Sequence, residues 1–266
     1  MISAKLSIAH VCILFSSVLL LSACSSAPKD PTAHMTPNQI YAEAKEELNA
    51  GAYDKAIPLL EKLDGRAAGT PLAQQAQLDK AYAHYKASEP ILAVATLDRF
   101  MKLHPASPVL DYALYLKGIV NFNDDLGLFS GITRQDLSER DQKSAKDSYE
   151  ALKELVSRFP DSRYASDAAQ RMHYIVNLLA QSEVHVARYY YQRGAYLAAV
   201  NRAQTVIVDY QGAPALAEAL KIMVSSYNAL GMIQLRDDTQ RVLEKNYSDK
   251  QGNDIRPSQN PWWKLW

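Results

Sequence analysis

The sequence predicts an all-α fold, built from helix pairs repeated five times. Three observations predict it. First, the dipeptides Thr36-Pro37, Thr70-Pro71, Ser107-Pro108, Ser162-Arg163 and Ala213-Pro214 are each followed, five residues later, by an alanine: Ala42, Ala76, Ala113, Ala168 and Ala219. Second, a distinct apolar pattern recurs downstream of these starts. Third, glycine is scarce, 10 in 266 residues, which argues against a loop-rich β fold.

The starts are 34, 37, 55 and 51 residues apart. In the first three, a hydroxyl stands at the N-cap and a proline at the first helical position, where its missing N–H costs nothing. The small residue is expected where two helices approach closely. Unit one continues into a second helix carrying Gly51, Tyr53, Ala56 and Ile57. Unit two has Ala93, Leu97, Phe100 and Pro105 at the same register, and unit three has Leu152, Leu155, Phe159 and Pro160. Unit four repeats the first pattern with Gly194, Tyr196, Ala199 and Val200. Unit five runs from Ala213 to Tyr247. G-x-Y-x-x-A-I and a 34-residue period resemble tetratricopeptide repeats. That resemblance implies five tetratricopeptide-like helix pairs in a right-handed superhelical array over residues 37–247.

Two units exceed the period. Unit three has about 19 extra residues by that period, falling near Asn121 to Lys143, with Gly127, Gly131 and many polar residues. These predict a loop, and long loops in compact domains are often functional. Unit four has about 16 extra residues on the same basis. From Ala165 to Arg193 there is neither Gly nor Pro, and Ala168, Met172, Ile175, Leu179 and Val186 form a helical stripe. An extended helix in repeat four is expected, protruding from the array and offering a surface to a partner.

Both ends of the chain lie outside the repeats. Lys5 precedes an apolar run from Leu6 to Leu21, and no acid occurs before Asp30. The run of about 16 residues is shorter than the roughly 20 a membrane span needs, and it reads as a secretory signal. It closes on Leu21, Ser22, Ala23 and Cys24. LSAC resembles the lipobox of bacterial lipoproteins, which implies a signal peptide over 1–23 and a mature chain starting at Cys24. The resemblance also implies N-acyl (palmitate) and S-diacylglycerol groups on that cysteine, and two or more chains anchor firmly where one would not. Residues 24–36, rich in Ser, Ala, Pro and Thr, read as a flexible tether. Residues 248–266 form a C-terminal tail. All three tryptophans lie in the last five positions, Trp262, Trp263 and Trp266. Such a tail either folds back on the last repeat or anchors an interface or membrane surface.

Composition narrows the chemistry. Without residues 1–23, 28 basic residues face 29 acidic ones, so no basic excess points to nucleic acid. The two cysteines are Cys12 and Cys24. Neither leaves a thiol for a disulfide or metal in the folded part, which must therefore be held by burial. His34, His84, His104, His173 and His185 fit no metal motif, and His104 takes a packing position in the repeat. His173 and His185 stand about 18 Å apart by helical rise, too far to share a metal. No nucleophile elbow or phosphate-cradling loop occurs. Asp124, Asp125, Asp136, Glu139 and Asp141 lack the oxygen spacing of a calcium loop. No catalytic residue, metal or cofactor is therefore assigned, and the expected class is non-enzymatic. Tyr82, Tyr85, Tyr112 and Tyr115 lie on first helices, either packed between helices or lining a concave face that takes extended peptides.

The segments RYYYQRGAYLAAVNRA (Arg188 to Ala203) and QKSAKDSYEALKELVSRFPDSRYASDAAQRM (Gln142 to Met172) resemble the BamD family. The lipobox, five repeats, the loop in unit three and the long helix in unit four agree with it. The resemblance implies a lipid-anchored scaffold on the periplasmic face of the outer membrane, part of the β-barrel assembly (Bam) complex. Implied partners are the periplasmic domains of BamA, other Bam lipoproteins and unfolded barrel clients. Ser25 after the cysteine is consistent with outer-membrane sorting, since the inner-membrane retention signal resembles an Asp there. Arg188, Arg193 and Arg202 are the candidate BamA contacts, because Arg suits interface ion pairs. Tyr82, Tyr85, Tyr112 and Tyr115 are the candidate client groove. The rival expectation is a periplasmic repeat adaptor in cell division or cell-wall work.

Overall fold

The computed structural model describes residues 30–122 and 142–247. Cys24, the signal segment expected over 1–23, most of the loop expected near Asn121 to Lys143, and residues 248–266 lie outside the described residues. Among the described residues there are ten α-helices and no strand. They are α1 (Pro37–Asn49), α2 (Tyr53–Arg66), α3 (Pro71–Lys86), α4 (Pro90–Leu103), α5 (Leu110–Asn121), α6 (Lys143–Arg158), α7 (Ala165–Gln192), α8 (Tyr196–Asp209), α9 (Leu216–Ala229) and α10 (Ile233–Tyr247). The fold is all-α and tetratricopeptide-like. The chain divides into two compact units, one up to Ala76 and one from Gln77.

In the first unit, Thr36 caps α1 as its sequence suggests. Gln39 N–H donates to the Thr36 hydroxyl at 3.4 Å, and the Thr36 N–H donates to Gln39 Oε1 at 2.8 Å. This reciprocal capping box contributes about 1 kcal/mol. Ile40, Ala44 and Leu48 of α1 are buried, as are Ala56, Leu60 and Leu63 of α2. Residues 30–35, assigned from sequence to the tether, are instead fastened to α2. Asp30 accepts from Lys62 Nζ at 2.6 Å and from Arg66 Nη2 at 3.0 Å, while Arg66 also donates to the Thr32 carbonyl at 2.6 Å. Lys62, then the Thr32 hydroxyl and N–H, holds the Asp30 carboxyl well below its usual range.

The expectation that Ala42 marks a close helix approach fails: Ala42 is exposed, and Ala44 takes that place, fully buried. The turn, not the proline, sets the register. Gly51, Ser88 and Gly194 adopt the left-handed conformation at φ 74°, 62° and 76°. Seven residues before each stands a fully buried alanine: Ala44, Ala81 and Ala187. In α1 the proline falls one turn closer to that glycine, because α1 has 13 residues and α3 has 16. Ser107-Pro108 departs from the expected N-cap, and Ser162-Arg163 and Ala213-Pro214 share its turn. Ser107, Ser162 and Ala213 occupy turns whose carbonyls accept from Leu110, Ala165 and Leu216 N–H. Their helices begin two residues after the second member of each pair.

The second unit has three apolar clusters in chain order. Leu78 and Ala81 of α3 meet Ala93, Leu97 and Phe100 of α4 and Ala113 and Leu116 of α5. Leu114 of α5 meets Leu152 and Leu155 of α6 and Ala168, Ile175 and Leu179 of α7. Ala180, Val184 and Ala187 of α7 meet Ala199, Ala203 and Val206 of α8 and Ala219 and Met223 of α9. The 28 residues of α7 confirm the expected extension. The expected protrusion is not found. Its first half is buried against α6 and its second against α8 and α9, because the apolar stripe continues without a break.

Helix α5 comes close to α6 at Gly118. A Cβ there would meet Leu152 Cδ2 at 2.4 Å. Ser148, fully buried on α6, donates its hydroxyl to the Gly118 carbonyl at 2.8 Å. A stripped backbone on α5 thus lets α6 approach and form a buried hydrogen bond.

Candidate functional site

The four candidate tyrosines divide in the structure. Tyr82 on α3 is 36% exposed. Tyr85, one turn along, packs against the cluster around Leu97 and Phe100. Tyr112 and Tyr115, three residues apart on α5, are half-buried and converge on Tyr164, the N-cap residue of α7. The Tyr115 and Tyr164 rings stack at 4.6 Å, and Tyr112 lies tilted at 5.7 Å from Tyr164. Polar partners fix the array. Tyr115 donates to Asp167 Oδ2 at 2.8 Å, and Arg171 Nε donates to the same oxygen at 2.6 Å. Asp111 accepts from the Ser162 hydroxyl at 2.7 Å and the Tyr112 N–H at 2.8 Å.

Arginines cover the edges of this aromatic group. Arg163 bonds the Tyr164 hydroxyl, and its guanidinium lies 4.7 Å from that ring. Arg171 sits 5.1 Å from the ring of Phe122, which makes an edge contact with Tyr174. Burial, reinforced by Asp79, pushes the Tyr112 phenol up to about 12. Burial and the hydrogen bond to Asp167 also raise Tyr115. Both therefore stay neutral near pH 7 and present ring faces and hydroxyls rather than charge. Tyr164, Arg163, Arg171 and Phe122 were not singled out from sequence. The Arg-Tyr pair just before α7, one repeat after Tyr112 and Tyr115, was the available signal.

The three candidate arginines are not equivalent. Arg202 on α8 pairs with Glu183 of α7 at 3.2 Å. The Glu183 side chain is only 9% exposed although Arg202 itself is 48% exposed, so removing the cation would leave a largely buried carboxylate without this partner. Arg188 pairs with Glu218 of α9. Both arginines thus have work inside the fold. Arg193, at the C-cap of α7, is exposed and lies 5.2 Å from the ring of Tyr189, itself 53% exposed. Leu197 beyond the Gly194 turn is 60% exposed. Tyr and Arg exposed together have the composition of protein-interface anchors.

Among the described residues, no group of three His, Cys, Asp or Glu side chains is placed to hold a metal ion. Nor is any helix there long and apolar enough to cross a membrane. Two surfaces, one aromatic and one centred on Arg193, stand out among the described residues.

Comparison with known proteins gives these surfaces a setting. The family profile YfiO, described as outer membrane lipoprotein, matches residues 33–243. The outer membrane protein assembly factor BamD of Neisseria meningitidis serogroup A is 45% identical over 255 residues, covering 93% of this chain and 96% of that protein. BamD of Vibrio cholerae is 34% identical, covering 85% and 94%. Among solved structures, the MamA protein is similar over 79% of this chain and 88% of that one, at 17% identity and TM-score 0.34, too distant to carry an argument. At this identity and coverage, the chain belongs to the BamD family of outer membrane protein assembly factors.

Proposed function

We propose that this protein is a non-enzymatic, lipid-anchored scaffold on the periplasmic face of the outer membrane. It acts in the Bam complex, binding BamA and holding barrel precursors during assembly and insertion. The observation that carries this reading is the likeness to BamD along 93% of the chain and 96% of the relative. Local sequence supports each part. LSAC ending at Cys24 supplies the acylation site, and the chain re-enters the described fold at Asp30. The six residues from Cys24 to Asp30 reach at most about 20 Å, so a lipidated Cys24 keeps the first repeat near the bilayer.

Arg193, with Tyr189 and Leu197, is the anchor for an acidic, partly apolar patch on BamA. Arg188 and Arg202 act through their own ion pairs, keeping α7 aligned with α9 and α8. Tyr82 and the Tyr112–Tyr115–Tyr164 group take the client. Barrel strands alternate apolar and polar residues and carry aromatic girdles, and stacked rings with neutral hydroxyls suit such segments. Arg193→Glu in the full chain, followed by co-purification with BamA from outer membranes, tests the first contact. Recovery falling several-fold is expected, and undiminished recovery removes Arg193 from the interface. Photo-crosslinking from position 82 to a client's last strand tests the second. Adducts above background are expected, and none would count against the groove.

A further inference from the structure

A groove runs between α4 and α6 over α5, which packs against both. Its volume is about 540 Å³. On α6 it extends from Asp147 to Ser157, about 15 Å by helical rise. A helix of that length, about 10 Å across, occupies roughly 1,200 Å³. The groove therefore fits an extended chain rather than a helix. Successive helical residues turn by about 100°, so Leu114, Lys117 and Asn121 of α5, which line the groove, lie nearly opposite Tyr112 and Tyr115. This surface is thus separate from the aromatic group. The hydrogen bond from Ser148 to the Gly118 carbonyl already locks α5 to α6 beside it, so little ordering is needed when the groove is filled.

Two polar groups in the groove lack partners. Nδ2 of Asn121 is shielded from solvent and has no acceptor among the described residues, which is costly for a buried donor. The soft χ2 torsion of asparagine lets it swing to an acceptor brought into the groove. The second is a carboxylate. Asp98, Asp147, Glu150 and Glu154 outnumber the lining ammoniums of Lys117, Lys143 and Lys153 by one. Lys117 Nζ donates to Asp98 at 2.6 Å, and Lys143 Nζ donates to Asp147 at 2.6 Å. Glu154 is held by Arg158 one turn on, and Lys153 lies 5.8 Å from the centre of the Tyr149 ring. Exposed Glu150 is left without an ion pair among the described residues.

We infer that an extended segment of a partner protein, carrying one lysine or arginine among apolar residues, binds between α4 and α6. Asn121 donates to a main-chain carbonyl of the segment, and Glu150 pairs with its cation. Val94, Met101 and Leu114 of the groove take its apolar side chains.

Photo-crosslinking tests this with the full chain in intact cells. p-Benzoylphenylalanine in place of exposed Ser157 should give adducts several-fold above those from the same group in place of exposed Gln204 on α8. Mass spectrometry should identify the linked peptide as part of another protein, with a lysine or arginine within about four residues of the linked position. Glu150→Lys should cut the yield several-fold with unchanged circular dichroism. Asn121→Leu should also cut it, while the thermal midpoint of the purified chain stays the same or rises, because an unpaired buried donor is removed. Adducts no more frequent than at Gln204, adducts only within this chain's own sequence, or a linked segment without a cation would each overturn the inference. So would a yield that Glu150→Lys and Asn121→Leu leave intact.

Discussion

Replacing Gly118 by alanine should destabilise the protein, although the same change at Gly65 should stabilise it. Both glycines lie in helices, where alanine gains about 0.5–1 kcal/mol from backbone entropy. An added Cβ at Gly65 of α2 meets nothing within 4 Å. Gly65 lies in the last turn of its helix, so a gain near the lower value, about 0.5 kcal/mol, is expected. At Gly118 the added Cβ stands 2.4 Å from Leu152 Cδ2 and 2.7 Å from Cγ. Leu152 is fully buried, so its displacement disturbs packed neighbours. Overpacking of this kind costs about 1–3 kcal/mol. Subtracting the helix gain leaves a net loss of about 1 kcal/mol, and at most about 2.5. Denaturant unfolding followed by circular dichroism reads both variants. Leu152→Ala alone should cost about 2–5 kcal/mol, but in the Gly118→Ala background it should cost about 2 kcal/mol less, because it removes the clash while the helix gain remains. A Gly118→Ala variant as stable as Gly65→Ala, or strictly additive losses in the double variant, would refute the close approach of α5 and α6.

Protonating Asp30 should release residues 30–35 from α2. Its folded carboxyl sits below the ordinary 3.8, so its contribution is complete above 3.8 and fades as pH falls through the lower folded value. Hydrogen exchange of residues 30–35 should rise in that acid range and be raised already at pH 7 in Asp30→Asn. Tyr115→Phe removes the hydroxyl that Asp167 accepts and should cost about 0.5–1.5 kcal/mol, measured by urea unfolding, with Arg171 keeping the carboxylate partnered. Tyr112 ionises near 12 rather than 10. The raised value stabilises the fold fully below 10, and that contribution is lost as pH rises toward 12. Ultraviolet titration of the folded protein should show a late tyrosine step whose amplitude falls in Tyr112→Phe, while the raised Tyr115 remains.

What the sequence revealed followed from local rules. Thr36 and Thr70 cap their helices because a hydroxyl, a proline and a helical run are sufficient instructions; Ala73 N–H donates to the Thr70 hydroxyl at 3.3 Å. The length of α7 could be read because nothing between Ala165 and Gln192 breaks a helix. What stayed hidden depends on residues distant in sequence. Ala42 and Ala44 have the same local chemistry, and only packing with α2 selects the second. The protrusion expected of α7 failed because its stripe is matched by α6 early and by α8 and α9 late. Tyr164 joins tyrosines about 50 residues upstream. Arg188 finds Glu218 thirty residues on. Charge and residue type marked these arginines as interface candidates, but only the fold separates the two that pair with Glu183 and Glu218 from Arg193 beside the Tyr189 ring.

The central claim is that this chain serves barrel assembly as a scaffold anchored at the outer membrane. The most direct measurement is affinity isolation of the native full chain from outer membranes, with every co-purifying protein identified by mass spectrometry. Stoichiometric recovery of BamA is expected, reduced several-fold by Arg193→Glu. Recovery of cell-wall or division enzymes without BamA would contradict it.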